Sequence, residues 1–343
     1  MADCYSAVAN CELSRDTPAL RYGVNSGKAA TEGHLVQTTL QKTVNFQGPA
    51  LHSGKPVDLR VHPAPAGTGI VFERTDLALS AVQRRIKVTP AALIEASLCT
   101  RIGNGAGVTV STIEHLMAAL AGCGIHNALV TLDAEEVPIL DGSARPFVSS
   151  FIAVGIRTLR APLRAIRVLR PVEVQMNDAY ARLEPAPGLS IAFEIDFPDA
   201  AIGRQTKDLV LCNGTFVREL ADSRTFCRLS DVDFMRANGL ALGGTMDNAV
   251  VFDGAEVLSP GGLRHADEPV RHKMLDAMGD LAVAGAPIIG RYVGYRAGHV
   301  LTGRLVRALL ADRTAFERVT VSAAEAHAMP GAGVCADDLA LSA

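Results

Sequence analysis

No run of 18 or more apolar residues occurs in the 343-residue chain, and its opening MADCYSAVANCELSRD has neither a basic stretch nor the apolar core of a leader peptide. A spanning helix is therefore not expected, and the reading is of a soluble, unexported, cytoplasmic protein. The seven cysteines (4, 11, 99, 123, 212, 227 and 335) are scattered, odd in number and form no C-x-x-C pair. That pattern suggests neither a disulfide framework nor a thiolate zinc site. With a formal net charge of -3 and no dense basic run, the chain lacks the footprint of a general nucleic-acid binder. A small basic patch for a phosphorylated ligand stays open. No Gly-rich stretch has P-loop spacing: GNGAGV (103–108) lacks a G-K-[ST] ending and reads as a hairpin turn, and Gly27-Lys28 and Gly54-Lys55 fail likewise. H-E-x-x-H is also missing, which excludes the common metalloprotease signature. Any transition metal must then draw on the nine histidines and on carboxylates.

What is present is an ordinary globular composition, 48% hydrophobic and 20% charged, in a chain long enough for two domains. Residues 1–35 read as a flexible extension, 36–160 as a first domain, 161–325 as a second and 326–343 as a tail. Short alternating runs such as Val57, Leu59 and Val61 mark strands in the first half. A helix follows at STIEHLMAALAGCG, with Ser111 or Thr112 placed to cap it and Gly122 or Gly124 to end it. SSFIAVGIRTL reads as a second helix and LRAPLRAIRVLRPV as a crossover. The order then recurs: strands at EVQMNDAYARLEPAP and LSIAFEIDF, a helix at EPVRHKMLDAMGDLAVAG, a strand at IIGRYVGYRAG. The expected fold is α+β, two similar sheet-and-helix domains stacked as a two-layer sandwich, each with a small insert and with the active site at their interface. The likeness of the halves is one of order, without a sequence repeat that proves duplication.

At 100° per residue, Val270, Met274, Ala277, Leu281 and Ala284 share one side of the helix at EPVRHKMLDAMGDLAVAG, and His272, Lys273, Asp276 and Asp280 the other. A solvated face explains an isolated H-x-x-x-D well. Against that, His and Asp one turn apart can chelate one ion, and Glu114-His115 on the other helix offers a further ligand. The His of that pair suits the metal and the Glu a water proton. His299, after a glycine at a strand end, is by itself more ordinary as a structural histidine, and Thr225 as a local turn former.

Taken together, GPALHSGKPV, LCTRIG, VSTIEHLMAALAGCGIHNALV, EVPILDGSARPF, SRTFC, GLALGGTMDNAVVFD, DEPVRHKMLDAMGDL and AGH resemble the UDP-3-O-acyl-N-acetylglucosamine deacetylases, the zinc amidases of lipid A biosynthesis, from about residue 36 to 325. The resemblance implies one catalytic Zn2+ held by His115, His272 and Asp276, with a water in the open position. It gives Glu114 the role of general base and His299 that of general acid, with Asp280 as its partner. Thr225 would bond the oxyanion, and Lys273 would hold the sugar nucleotide or intermediate. Phe226 and Cys99 fall beside the substrate, Cys99 at the mouth and not as a ligand. The substrate's acyl chain would enter a passage in an insert near 228–255, lined by Leu229, Val232, Met235, Ala241, Thr245 and Val251, with Gly243-Gly244 leaving room for close approach. An ordinary subdomain core is the plainer reading of that span. Arg228 stands where family members often have an aromatic, and it offers phosphate pairing in place of stacking.

The chemistry implied is hydrolysis of the acetamide to acetate and free amine, on a UDP-linked acylated glucosamine, by a monomer. The rival readings are a zinc amidase for another N-acyl sugar and a catalytically silent binder of sugar nucleotide or acyl chain.

Overall fold

Alternation in PVDLRVHP puts Val57, Leu59 and Val61 on one face of a strand, and in the computed structural model, which describes residues 35–340, those three side chains are buried. Pro56–Pro63 pairs antiparallel with Val44–Pro49 on one side and with Ala128–Leu132 on the other. Ile70–Arg74 lies parallel to Ala128–Leu132, and Arg85–Lys87 completes a five-stranded sheet. A hairpin cannot join parallel neighbours, so the chain between Arg74 and Ala128 crosses over. The last element of that crossover is the Glu114–Gly122 helix.

A seven-stranded sheet forms farther along the chain, and its long strand Ile288–Tyr295 runs parallel to Leu189–Asp196 and antiparallel to Ala179–Glu184. The crossover into Ile288–Tyr295 ends in the Glu268–Ala282 helix. Each helix thus lies over a sheet because a parallel pair required it. The two helices pack on each other more extensively than any other pair of elements. Gly279 sits at the closest approach, where an added Cβ would stand 2.0 Å from the carbonyl oxygen of Glu114. The result is a mixed α+β fold with several sheets among the described residues.

Local expectations fare unevenly. GNGAGV is indeed the turn of a hairpin between Arg101–Gly103 and Thr109–Val110. The expected cap at Ser111 or Thr112 is not made: the helix starts at Glu114 without a side-chain cap, and Thr112 has φ +56° with its hydroxyl donated to Glu136. The helix read into SSFIAVGIRTL covers Arg145–Val154 and stops at Gly155, whose φ of +81° breaks it. Ile156–Pro162 is instead a strand paired with Val36–Leu40. The crossover read at LRAPLRAIRVLRPV contains the strand Arg164–Val168, which joins the large sheet. The span read as an insert forms a small β-α-β unit: Phe226–Arg228 and Val250–Asp253 are parallel, with the Leu229–Ala237 helix between them. The extension read at the N-terminus, with Cys11 and His34, lies outside the described residues up to 34. Near the other end, Asp338 is buried and accepts from Arg218, which ties that segment to the body.

Candidate metal centre

The helix that carries HKMLDAMGD buries both of its faces. Val270, Met274, Ala277 and Leu281 pack into the core, and on the polar side His272, Asp276 and Asp280 are 2%, 5% and 3% exposed. The facing helix covers that polar side and brings Glu114 and His115, both buried, up to it. A solvated stripe is therefore ruled out, and each polar group needs a partner.

One cluster has metal geometry. His115, His272 and Asp276 each offer a ligand atom, and these atoms lie within 4.8 Å of one another. Nε2 of His272 is 3.2 Å and Nε2 of His115 3.5 Å from Oδ1 of Asp276. The rings meet edge to face, with centroids 4.9 Å apart. Nδ1 of His272 lies 3.0 Å from the carbonyl oxygen of Ser223 and donates to it, which leaves Nε2 with its lone pair toward the cluster. Burial lowers the pKa of His115 and favours the neutral imidazole a metal requires. The donor set and burial suit zinc, and one observation tests the fit: Oδ1 of Asp276, buried, has no hydrogen-bond partner. Burial opposes ionisation of that carboxyl, but His272 and Lys273 hold its pKa well below the ordinary value. Lys273 donates to the other oxygen, Oδ2, at 2.7 Å.

Around this cluster stand groups with displaced pKa values. Burial raises Glu114 to about 7, against the pull of His299. Its Oε2 accepts from the backbone N–H of Thr100 at 2.9 Å, and its Oε1 faces Nε2 of His299 at 3.9 Å. Burial works against the His299 imidazolium, yet Asp280 and Glu114 outweigh it and lift the pKa to about 9. Nδ1 of His299 donates to Oδ2 of Asp280 at 3.0 Å, which turns Nε2 toward Glu114 and Asp276. His299 opens the His299–Ala311 helix, a few residues past the strand end where the sequence placed it.

Thr225 is half-buried; its N–H donates to Gly142 and its carbonyl accepts from Val250. The Phe226 ring is 6.3 Å from that of His272. Cys99 is buried, next to Thr100, and burial drives its thiol up to about 12, so it is an inert neighbour. The Arg228 guanidinium donates to Asp199 at 2.5 Å and lies 3.9 Å from Asp231, so its charge is already engaged. In the insert, Leu229, Val232 and Met235 form one half-buried face of the helix, and Ala241 and Val251 are buried. Thr245 is exposed and its hydroxyl accepts from the N–H of Asp247, a local turn. Gly244 is half-buried; the close approach is made by Gly243, where a Cβ would lie 2.1 Å from the carbonyl oxygen of Ala50.

Several residues escaped the sequence reading. Thr100 ties the site together, because its backbone holds Glu114 and its hydroxyl donates to Asp280. Arg224 and Glu268 form a buried bidentate pair, 2.9 and 3.1 Å, that pins the loop supplying the Ser223 carbonyl. His52 has both ring nitrogens buried without a partner. The insert also presents Phe234, Leu242 and Met246 exposed, apolar side chains that no pattern in the sequence singled out.

The family model for UDP-3-O-acyl N-acetylglycosamine deacetylase, LpxC, matches residues 37–311. The chain belongs to this family. A UDP-3-O-acyl-N-acetylglucosamine deacetylase of Phenylobacterium zucineum is 51% identical over 282 residues, 82% of this chain and 96% of the relative. That of Shewanella oneidensis is 46% identical over 288 residues, 83% of this chain and 93% of the relative. LpxC proteins are zinc deacetylases of lipid A biosynthesis, and the buried His-His-Asp group fits that chemistry. No helix among the described residues is long and apolar enough to cross a membrane.

Proposed function

We propose that this chain hydrolyses the acetamide of a UDP-3-O-(3-hydroxyacyl)-N-acetylglucosamine to acetate and the free amine, the committed step of lipid A synthesis, with zinc held by His115, His272 and Asp276. One observation carries the assignment: a buried carboxylate oxygen without a hydrogen bond converges with two imidazoles, beside a carboxyl outside that set raised to about 7. When bound there, zinc supplies a Lewis acid for the carbonyl and lowers the pKa of water toward neutrality. Glu114, fixed through Oε2 by Thr100, has Oε1 free to take the proton of the attacking water. Thr225 and the Lys273 ammonium stabilise the negative charge that develops on the carbonyl oxygen. An amide nitrogen leaves only as an amine, so it needs a proton. Nε2–H of His299 gives it, while Asp280 holds the other ring nitrogen.

The two helices facing each other across the centre support a two-layer arrangement of two similar halves, divided near residue 160, with the site between them. Phe226 and Cys99 then flank the substrate, and Leu229, Val232, Ala241, Gly244, Thr245 and Val251 belong to the acyl passage, with Thr245 at its exposed lip. Arg228 reaches a phosphate only by exchanging Asp199 for it. Cys99, Cys123, Cys227 and Cys335 carry free thiols, which supports a cytoplasmic setting, and a monomer is the simplest assembly. Glu114→Ala should keep one zinc per chain by elemental analysis and lose on the order of 10²–10⁴-fold in kcat. Retained turnover in that variant, or loss of its zinc, would overturn the role given to Glu114.

A further inference from the structure

The two helices that build the metal centre also floor a second cavity, of about 290 Å3. One water needs only about 10–15 Å3 on this measure, so the chamber has room for a medium-length alkyl chain. Its floor is apolar and buried: Met117 and Leu120 from one helix, Met278 and Leu281 from the other, Leu189 and Ile288 from the parallel strand pair. The cavity lies toward the C-terminal ends of both helices. Leu120 follows His115 by five residues and Leu281 follows Asp276 by five, about 7.5 Å of helix axis in each case.

Three exposed cations, Lys87, Arg164 and Arg318, stand at the mouth, and no carboxylate is among the lining residues. The strand register makes the placement unusual. Arg318 pairs directly with Ile166, and Arg164 is two residues before Ile166, so these side chains share one face of the sheet. Ile166 is wholly buried in the main core. Two guanidinium groups are thereby set on the core-facing side at the end of the sheet. None of the three cations has an ion-pair partner among the described residues; the Arg318 guanidinium only lies 6.0 Å from the Phe316 ring. Lys87 reaches across Gly69, where a Cβ would be 3.6 Å from its Cε.

We infer that this cavity binds a single-chain fatty carboxylate of about ten carbons, its alkyl chain in the apolar chamber and its head group on Lys87, Arg164 and Arg318. The site is distinct from the acyl passage of the insert and does not depend on the catalytic reading. A cationic chain meets like charge at the mouth, and a bare anion leaves the chamber unfilled. The test is calorimetric titration of the full-length, zinc-supplemented protein with decanoate, decyltrimethylammonium and inorganic phosphate. Decanoate should bind at least tenfold more tightly than either comparison probe. Reversing the exposed charges (K87E, R164E and R318E together) should weaken decanoate at least tenfold while the deacetylase rate without decanoate is unchanged. Ala121→Phe, which fills the chamber from the half-buried side of its helix, should also remove binding, with folding checked by a thermal melt. Unchanged decanoate affinity in the charge-reversed protein, or equal affinity for the ammonium or for phosphate, overturns the inference.

Discussion

Replacing Gly279 by alanine sets two effects of known size against each other. On helix propensity alone the change should stabilise, because glycine in a helix interior costs about 1 kcal/mol relative to alanine. The added Cβ would, however, stand 2.0 Å from the Glu114 carbonyl oxygen, 2.8 Å from its carbon and 3.1 Å from its Cα. All three are backbone atoms of a packed helix, which cannot swing aside as a side-chain tip can. An ordinary contact of about 3.2 Å or more then needs the helices to separate by roughly 1 Å, and overpacking of this kind costs about 1–3 kcal/mol or more. The net expectation is destabilisation by up to about 2 kcal/mol, read as a lower midpoint in urea with unchanged slope. The same separation moves Glu114 and His115 away from His272 and Asp276. A misplacement near 1 Å is worth about 10²-fold in turnover, so kcat and zinc affinity should fall more than stability does. An alanine variant as stable as the parent, with full zinc affinity and kcat, would refute the reasoning.

Activity should rise with pH as Glu114 loses its proton near 7 and fall as His299 loses its proton near 9, with bound zinc pulling both limbs downward by its positive charge. Glu114→Gln should remove the acid limb and His299→Gln the alkaline limb from whatever activity remains, which a kcat/KM profile of each variant checks. Asp276→Ala should abolish stoichiometric zinc, measured by elemental analysis. Chelation of the parent protein should lower its stability by up to about 4 kcal/mol when free zinc had stood at 1,000 times Kd, seen as a fall in melting temperature. Glu268→Ala leaves Arg224 buried and unpaired and should cost about 3–5 kcal/mol in urea unfolding. The double change Arg224→Met with Glu268→Met should recover only part of that loss, because the backbone N–H groups of Arg224 and Arg264 also lose Glu268 as their acceptor.

The parts of the site legible in the sequence are those set by local periodicity. A helix over Val270 to Leu281 follows from its apolar spacing, and so does the placing of His272, Asp276 and Asp280 on one side. Whether water or protein covers that side depends on a helix some 150 residues earlier, and no local pattern carries that information. Thr100 was invisible for the same reason: its bonds to Asp280 and to His299 span 180 and 199 residues. Ser223 contributes through its carbonyl, which every residue type has. The capping expectation failed where a distant carboxylate, Glu136, competed successfully for the Thr112 hydroxyl. Resemblance to a family supplied the unequal roles within the stripe, which periodicity could not assign.

Those unequal roles follow from which partner each carboxylate oxygen meets. Burying an ionised group is tolerable only when its lone pairs are engaged. Asp280 is engaged on both oxygens, by the hydroxyl of Thr100 and by Nδ1 of His299, so it orients and charges an imidazole and stands outside the metal cluster. Asp276 is engaged on one oxygen only, by Lys273, and its other oxygen faces two imidazole nitrogens that need a cation between them. Glu114 holds a backbone N–H with one oxygen and keeps the other free, and the His299 imidazolium beside it does not outweigh its burial, so its pKa stays raised. Three buried carboxylates on two facing helices therefore differ in chemistry because Thr100 and Lys273 are distributed unevenly among them. Exchanging either one should move the pH profile or the metal affinity before it moves the fold.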